Sequence, residues 1–113
     1  MSRPLLLDAF CGAGGAGMGY FLAGFDVVGV DVVDQPNYPF EIVKGDALRY
    51  LLEHGRDFDA IHASPPCQTH SALTKGNRTR GWADTHVDLI PATRALCDLT
   101  GRPYVLENVQ GST

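Results

Sequence analysis

Strand-like and helix-like stretches alternate along almost the whole chain, and this alternation constrains the fold more than any other feature. Leu5-Leu6-Leu7 is a continuous apolar run ending at Asp8, as expected of a central parallel strand. Phe10-Cys11-Gly12-Ala13-Gly14-Gly15 is a glycine-rich turn, and Ala16 to Ala23 reads as a helix closed by Gly24. Phe25 to Asp31 is a β-branched second strand that ends in a carboxylate. Val32 to Phe40 holds Pro36, Asn37 and Pro39 and reads as a loop. Glu41 to Lys44 is a short third strand. Gly45-Asp46 starts the next helix, with Asp46 as N-cap, Leu48, Leu51 and Leu52 as apolar face and Gly55 as end. Asp59 to Ala63 is the fourth strand. A last helix begins near Leu89 or Ile90, because Pro91 fits only its first turn. It repeats Leu89, Ala92, Leu96 and Leu99 and ends at Gly101. Tyr104-Val105-Leu106 is the fifth strand, finishing in Glu107-Asn108-Val109.

This order predicts an α/β, Rossmann-like architecture, a parallel sheet flanked by helices with right-handed crossovers. A chain of 113 residues, 44% hydrophobic and 19% charged, suits one domain with one core. The carboxyl ends of the strands then deliver Asp8, Asp31, Asp46, Cys67 and Glu107 to one rim. That is the edge at which open α/β sheets bind ligands.

Composition removes several classes. Cys11, Cys67 and Cys97 are far apart and form no C-x-x-C pair, which argues against a disulfide framework or zinc knuckle and for a reducing compartment. The four histidines lack H-x-x-x-H spacing, so no metal is expected. The apolar runs are too short for a membrane span, and Met1-Ser2-Arg3-Pro4 is too brief for a secretory signal. A cytoplasmic, non-secreted protein is expected. A net charge of −4 makes the chain a poor general binder of nucleic-acid backbones. Contact with DNA would fall to residues this chain lacks or to a local patch, Lys75, Arg78 and Arg80, in the aperiodic polar stretch Thr69 to Thr85. Loops of that length are commonly functional. Its cations could meet phosphates, and a solvated loop accounts for them equally well.

Three constellations carry chemistry. In Ala63-Ser64-Pro65-Pro66-Cys67-Gln68 the prolines stop the strand and present Cys67 on a stiff corner. That thiol is a nucleophile if its proton can be taken, or else a small buried hydrophobe. Gly12-Ala13-Gly14-Gly15-Ala16-Gly17 matches G-x-G-x-x-G between a strand and a helix. With Asp31 placed to accept ribose hydroxyls it points to a nucleotide-type cofactor; the alternative is a turn that needs glycine for tight packing. Asp46 suits an adenine amino group or a helix cap. No G-K-[ST] lysine follows, which excludes a P-loop hydrolase. Cys67 with Glu107 could add a thiolate across a conjugated double bond and protonate the activated ring. Alone, Glu107 also reads as a capping or salt-bridged carboxylate.

Taken in order, Asp8-Ala9-Phe10-Cys11-Gly12-Ala13-Gly14-Gly15, Gly29-Val30-Asp31, Gly45-Asp46-Ala47, Pro65-Pro66-Cys67-Gln68 and Glu107-Asn108-Val109 resemble the cytosine-C5 DNA methyltransferases. The match spans nearly the whole chain. The resemblance implies a restriction-modification type of enzyme in a bacterial or phage-infected cell, with S-adenosyl-L-methionine as cofactor. Phe10, Cys11, Gly12, Gly14 and Gly15 would hold its methionine and adenine ends. Asp31 would take the ribose hydroxyls, where the family more often has Glu. Val32 stands where an aromatic commonly stacks on adenine, and Asp46 and Ala47 would read the adenine edge. Cys67 would attack C6 of a cytosine flipped from DNA, and Glu107 would hydrogen-bond the ring around N3. The long loop after Cys67 resembles the family's mobile catalytic loop.

The family continues with an arginine-bearing motif, a target-recognition domain and further strands, none of which the sequence contains. The resemblance therefore implies a C-terminally incomplete catalytic domain over 1–113. Its fifth strand would lie at an exposed sheet edge, and a second polypeptide could supply the rest. Two alternatives stand beside it. One is a non-catalytic remnant or subunit that binds S-adenosylmethionine or a partner. The other is an NAD-dependent oxidoreductase, supported by the glycine loop and Asp31 alone.

Overall fold

A computed structural model describes residues 3–68 and 87–107, with the backbone alone at 67, 68 and 87. Strands β1 (Leu5–Ala9), β2 (Asp26–Asp31), β3 (Glu41–Lys44) and β4 (Ala60–Ala63) precede a short antiparallel ribbon. That ribbon pairs β5 (Cys67–Gln68) with β6 (Val87–Asp88), and β7 (Tyr104–Leu106) closes the series. The helices are α1 (Gly15–Leu22), α2 (Ala47–His54) and α3 (Ile90–Thr100). The main sheet is parallel throughout, in the order β3-β2-β1-β4-β7. The expected α/β architecture is therefore present. The ribbon was not foreseen, because two-residue strands leave no periodicity to read.

The chain steps outward from β1 to β2 and β3, then returns to the far side of β1 with β4. The strand order thus reverses between β1 and β4, and the crevice beyond their carboxyl ends is the switch point where such sheets take ligands.

Side chains alternate between the two faces of each strand. Leu7, Ala9, Val28, Val30, Ile61 and Ala63 share one face and pack with Ala47 and Leu51 of α2 and Cys97 of α3. Asp8, Gly29 and His62 stand side by side on the other, since Asp8 is in register with both. Tyr38 lies over that face. Its ring would be 2.5 Å from a Cβ at Gly29, so only glycine admits it there. The segment 32–40 is a loop as expected, but one that plugs a sheet face.

Three local expectations are corrected, and one holds for a different reason. Asp8 is not a rim residue; it is 1% exposed within β1 and accepts a hydrogen bond from Tyr38 Oη at 3.0 Å. Leu52 is exposed, and α2 buries Ala47 and Leu51 instead. Gly55 ends α2 as expected, though with ordinary helical φ of −55°; glycine is required there because a Cβ would meet Thr100 Cγ2 at 2.5 Å. Finally, α3 buries Thr93, Cys97 and Thr100 rather than its leucine stripe. Both threonine hydroxyls donate to carbonyls of their own helix, Leu89 O at 2.7 Å and Cys97 O at 2.6 Å. Buried polar groups satisfied in this way cost little.

Candidate functional site

Beyond the carboxyl ends of β1 to β4 lies a cavity of about 640 Å³, within the range of small-molecule sites. β1 leads into Phe10 and Gly12, β2 into Asp31, Val32, Val33 and Gln35, β3 into Asp46, Ala47 and Leu48, and β4 into Ser64 and Pro66. Leu89, just before α3, completes the wall. Phe10, Gly12, Asp31, Val32, Asp46 and Ala47 are thus brought together as the sequence suggested.

The glycine loop is shaped by its backbone. Phe10, Gly12 and Gly14 have φ of 58°, 55° and 102°; Phe10 bears the strain that side chains incur in this region. Gly14 caps α1, and a Cβ there would meet Pro39 Cδ at 2.9 Å. Gly12 N–H donates to Asp31 Oδ2 at 2.9 Å, and Val33 N–H donates to Oδ1 at 3.0 Å. These bonds fix the Asp31 carboxylate at the cavity wall while leaving each oxygen further acceptor capacity. Cys11, Gly14 and Gly15 shape the loop from behind and do not line the cavity. Cys11 is buried, and its thiol is pushed up to about 12, chiefly by burial and then by Asp8 and Asp31. It is therefore no thiolate near neutral pH.

Asp46 takes the helix-cap role considered for it and also stands on the cavity wall. Its Oδ1 accepts the Leu48 N–H at 3.0 Å as the N-cap of α2, and it lines the cavity.

Glu107 follows β7, its N–H bonded to Ala63 O at 2.8 Å across the β4–β7 seam. Its Oε1 accepts from Ser64 Oγ at 3.1 Å and lies 3.1 Å from His62 Nε2. His62 is buried, and its Nδ1 lies 2.9 Å from Tyr20 Oη on α1. Ser64 belongs to both assemblies, lining the cavity and holding Glu107. Sequence reading missed Tyr20, His62 and Ser64. A histidine in a strand, two residues before a serine at the strand's carboxyl end, was the available signal.

The backbone of Cys67 pairs with Asp88 in the ribbon, three residues beyond Ser64. Its side chain lies outside the described part of the structure, as do Lys75, Arg78, Arg80, Asn108 and Val109. Among the described residues no group of histidine, cysteine, aspartate and glutamate could hold a metal. No helix among them is long and apolar enough to cross a membrane.

The parallel sheet, its order and the cavity at the strand ends define a Rossmann-like fold. A solved structure described as a SAM-dependent methyltransferase from Agrobacterium tumefaciens superposes with a TM-score of 0.64, covering 96% of this chain and 40% of that one at 17% identity. The chain is similar, over nearly its whole length, to part of several Type II methyltransferases. It is 32% identical to the Type II methyltransferase M.XorII of Xanthomonas oryzae pv. oryzae, over 100% of the chain and 30% of the relative. It is 31% identical to M.FnuDI of Fusobacterium nucleatum, over 94% of the chain and 32% of the relative. It is 28% identical to M.AplI of Arthrospira platensis, over 97% of the chain and 32% of the relative. The chain thus spans about a third of the length of these relatives. No family model matches it.

Proposed function

We propose that the chain is the cofactor-binding and catalytic half of a cytosine-C5 DNA methyltransferase. The observation that carries the reading is the double membership of Ser64. One hydroxyl joins a cavity walled by two carboxylates to the candidate acid Glu107.

The cavity suits S-adenosylmethionine by its chemistry. Asp31 offers acceptors for ribose hydroxyls, Asp46 one for an adenine amino group, and Phe10, Val32, Val33 and Leu48 give apolar walls for the ring. A dinucleotide suits it less well, because Gly12 N–H is already committed to Asp31 and two carboxylates oppose a pyrophosphate. This observation disfavours the NAD-dependent alternative.

When bound, S-adenosylmethionine supplies a methyl group on an electrophilic sulfonium. The chain's residues make cytosine a carbon nucleophile toward it. Cys67 forms a bond to C6, and the electrons of the C5–C6 double bond shift toward C5 and the ring at N3. Glu107, in its acid form, donates its proton toward N3 and so stabilises the negative charge that develops there. C5 takes the methyl group, then loses its proton to a solvent base. The returning electrons expel the Cys67 sulfur and restore the double bond. The cytosine must be flipped from the stack to be reached. Lys75, Arg78 and Arg80 are the proposed phosphate contacts. The rest of such an enzyme, including target selection, falls to sequence or a second polypeptide beyond this third of the relatives' length.

The test is a covalent trap with 5-fluorocytosine DNA and S-adenosylmethionine. A denaturation-resistant adduct that disappears with Cys67→Ala is expected. If S-adenosylmethionine binds and no adduct forms, even with the remainder of a relative added in trans, the reading fails in favour of a non-catalytic binding subunit. NAD binding without S-adenosylmethionine binding would favour the oxidoreductase.

A further inference from the structure

We infer that His62, seated on Tyr20, is the positioning residue for Glu107. This inference rests on the methyl-transfer reading for its purpose but not for its geometry.

Glu107 follows the sheet strand β7 and its side chain is 58% exposed. A carboxylate so exposed keeps many rotamers open, and ordering it costs side-chain entropy. The structure supplies the means of holding it. Both of its described side-chain bonds fall on Oε1, one from Ser64 and one shared with His62. His62 itself is 7% exposed and cannot swing, because Tyr20 holds its other nitrogen. The Tyr20 and His62 rings also meet edge to face with centroids 5.2 Å apart.

Donor bookkeeping gives the chain a direction. With Glu107 ionised, Oε1 accepts the Ser64 O–H and the His62 Nε2–H. The neutral imidazole then has a lone pair on Nδ1, and Tyr20 O–H donates to it. Every group is satisfied, and one tautomer is selected. Protonation at Oε2 leaves Oε1 an acceptor, whereas with Glu107 turned away only Ser64 Oγ, 3.0 Å from Nε2, is left to receive Nε2–H and the selection weakens. The groups facing His62 are Tyr20 from α1, Asp8 from β1, Ser64 after β4 and Glu107 after β7. Oε1 is thereby held against His62 and Ser64, which leaves Oε2 as the oxygen for a substrate ring. This pinning makes Glu107 a preorganised group rather than a mobile surface acid.

The test is long-range ¹H–¹⁵N correlation on the full chain with ¹⁵N-labelled histidine near neutral pH. His62 is expected as a single Nε2–H tautomer, against a mixture for exposed histidine. Tyr20→Phe and Glu107→Ala are each expected to shift it measurably toward the Nδ1–H form. A predominant Nδ1–H tautomer in the unaltered protein, or no response to either variant, would overturn the inference. Where the chain traps 5-fluorocytosine DNA, His62→Met should slow adduct formation roughly tenfold, a part of the ~10²–10⁴ that a positioned acid supplies. DNA affinity should be unchanged, and His62→Gln, which keeps a donor, should recover part of the rate. The expected tautomer without any DNA adduct supports the positioning and counts against methyl transfer alone.

Discussion

The two faces of the sheet are built on opposite plans. One is closed with aliphatic groups: Leu7, Val28, Val30 and Ile61 under Leu51 and Cys97. The other places a buried carboxylate, a buried histidine and a missing side chain in one row, Asp8, His62 and Gly29. Tyr38 fills the place of the absent Cβ and bonds Asp8; Tyr20 bonds His62. The first face yields free energy through burial, and nothing on it leads to the rim except through α2. The second orders polar groups, and its row leads through His62 directly to Glu107. A small sheet thus keeps stability and preorganisation on separate sides, so that a change on one should leave the other largely intact.

The largest expected effect falls on the aliphatic face. Leu51→Ala removes a fully buried side chain and should cost about 2–5 kcal/mol of unfolding free energy. Affinity of the folded fraction for S-adenosylmethionine should hold within about twofold, since additivity applies to separate sites. Denaturant titration and calorimetry measure the two quantities. A large affinity loss would mean that the faces are coupled through α2, whose first turn walls the cavity.

Asp8 breaks the symmetry by pH. Burial raises its pKa from 3.8 to about 6, opposed by the Tyr38 hydrogen bond and the nearby His62. The folded protein holds this proton more tightly than the unfolded chain does. Stability should therefore fall as pH rises from about 4 to about 6, by at most about 3 kcal/mol. Asp8→Asn keeps an acceptor for Tyr38 and should flatten the profile in this window. Urea unfolding at a series of pH values reads it, and an unchanged slope would place the titrating group elsewhere.

Gly29→Ala tests the plug itself. A Cβ 2.5 Å from the Tyr38 ring must displace it, at about 1–3 kcal/mol of stability. The displaced ring also leaves Asp8 without its donor. Tyr38→Phe in the same background should then cost little more, because the bond is already broken.

The aliphatic face was legible in the sequence, and the polar face was not. Continuous runs such as Leu5-Leu6-Leu7 and Val27-Val28 announce buried parallel strands, and β3 and β7 lie at the residues expected. The cavity was legible for the same reason, since glycines and terminal carboxylates at strand ends have fixed topological places. What failed depended on partners distant in sequence. Thr93 and Thr100 look polar, yet they face the core because each satisfies its hydroxyl within α3. Asp8 looks like another strand-end carboxylate, and only Tyr38, thirty residues on, makes its burial tolerable. His62 gave no periodic signal, and its meaning lies in Tyr20 and Glu107, 42 and 45 residues away.

The smallest expected effect sharpens the comparison at the rim, where neither face governs. Val32 is 61% exposed on the cavity wall, with Val33 at 58% beside it. An exposed aliphatic offers an adenine ring edge contact but no stacking surface. Val32→Trp adds an aromatic face, and such pairs contribute about 0.5–1.5 kcal/mol beyond area burial. S-adenosylmethionine should bind about two- to tenfold more tightly, with unfolding free energy within about 0.5 kcal/mol of the original. The gain should vanish when the ligand is methionine alone, because only the nucleoside end presents a ring. Equal tightening of both ligands would place adenine elsewhere in the cavity and reassign Asp31 and Asp46 with it.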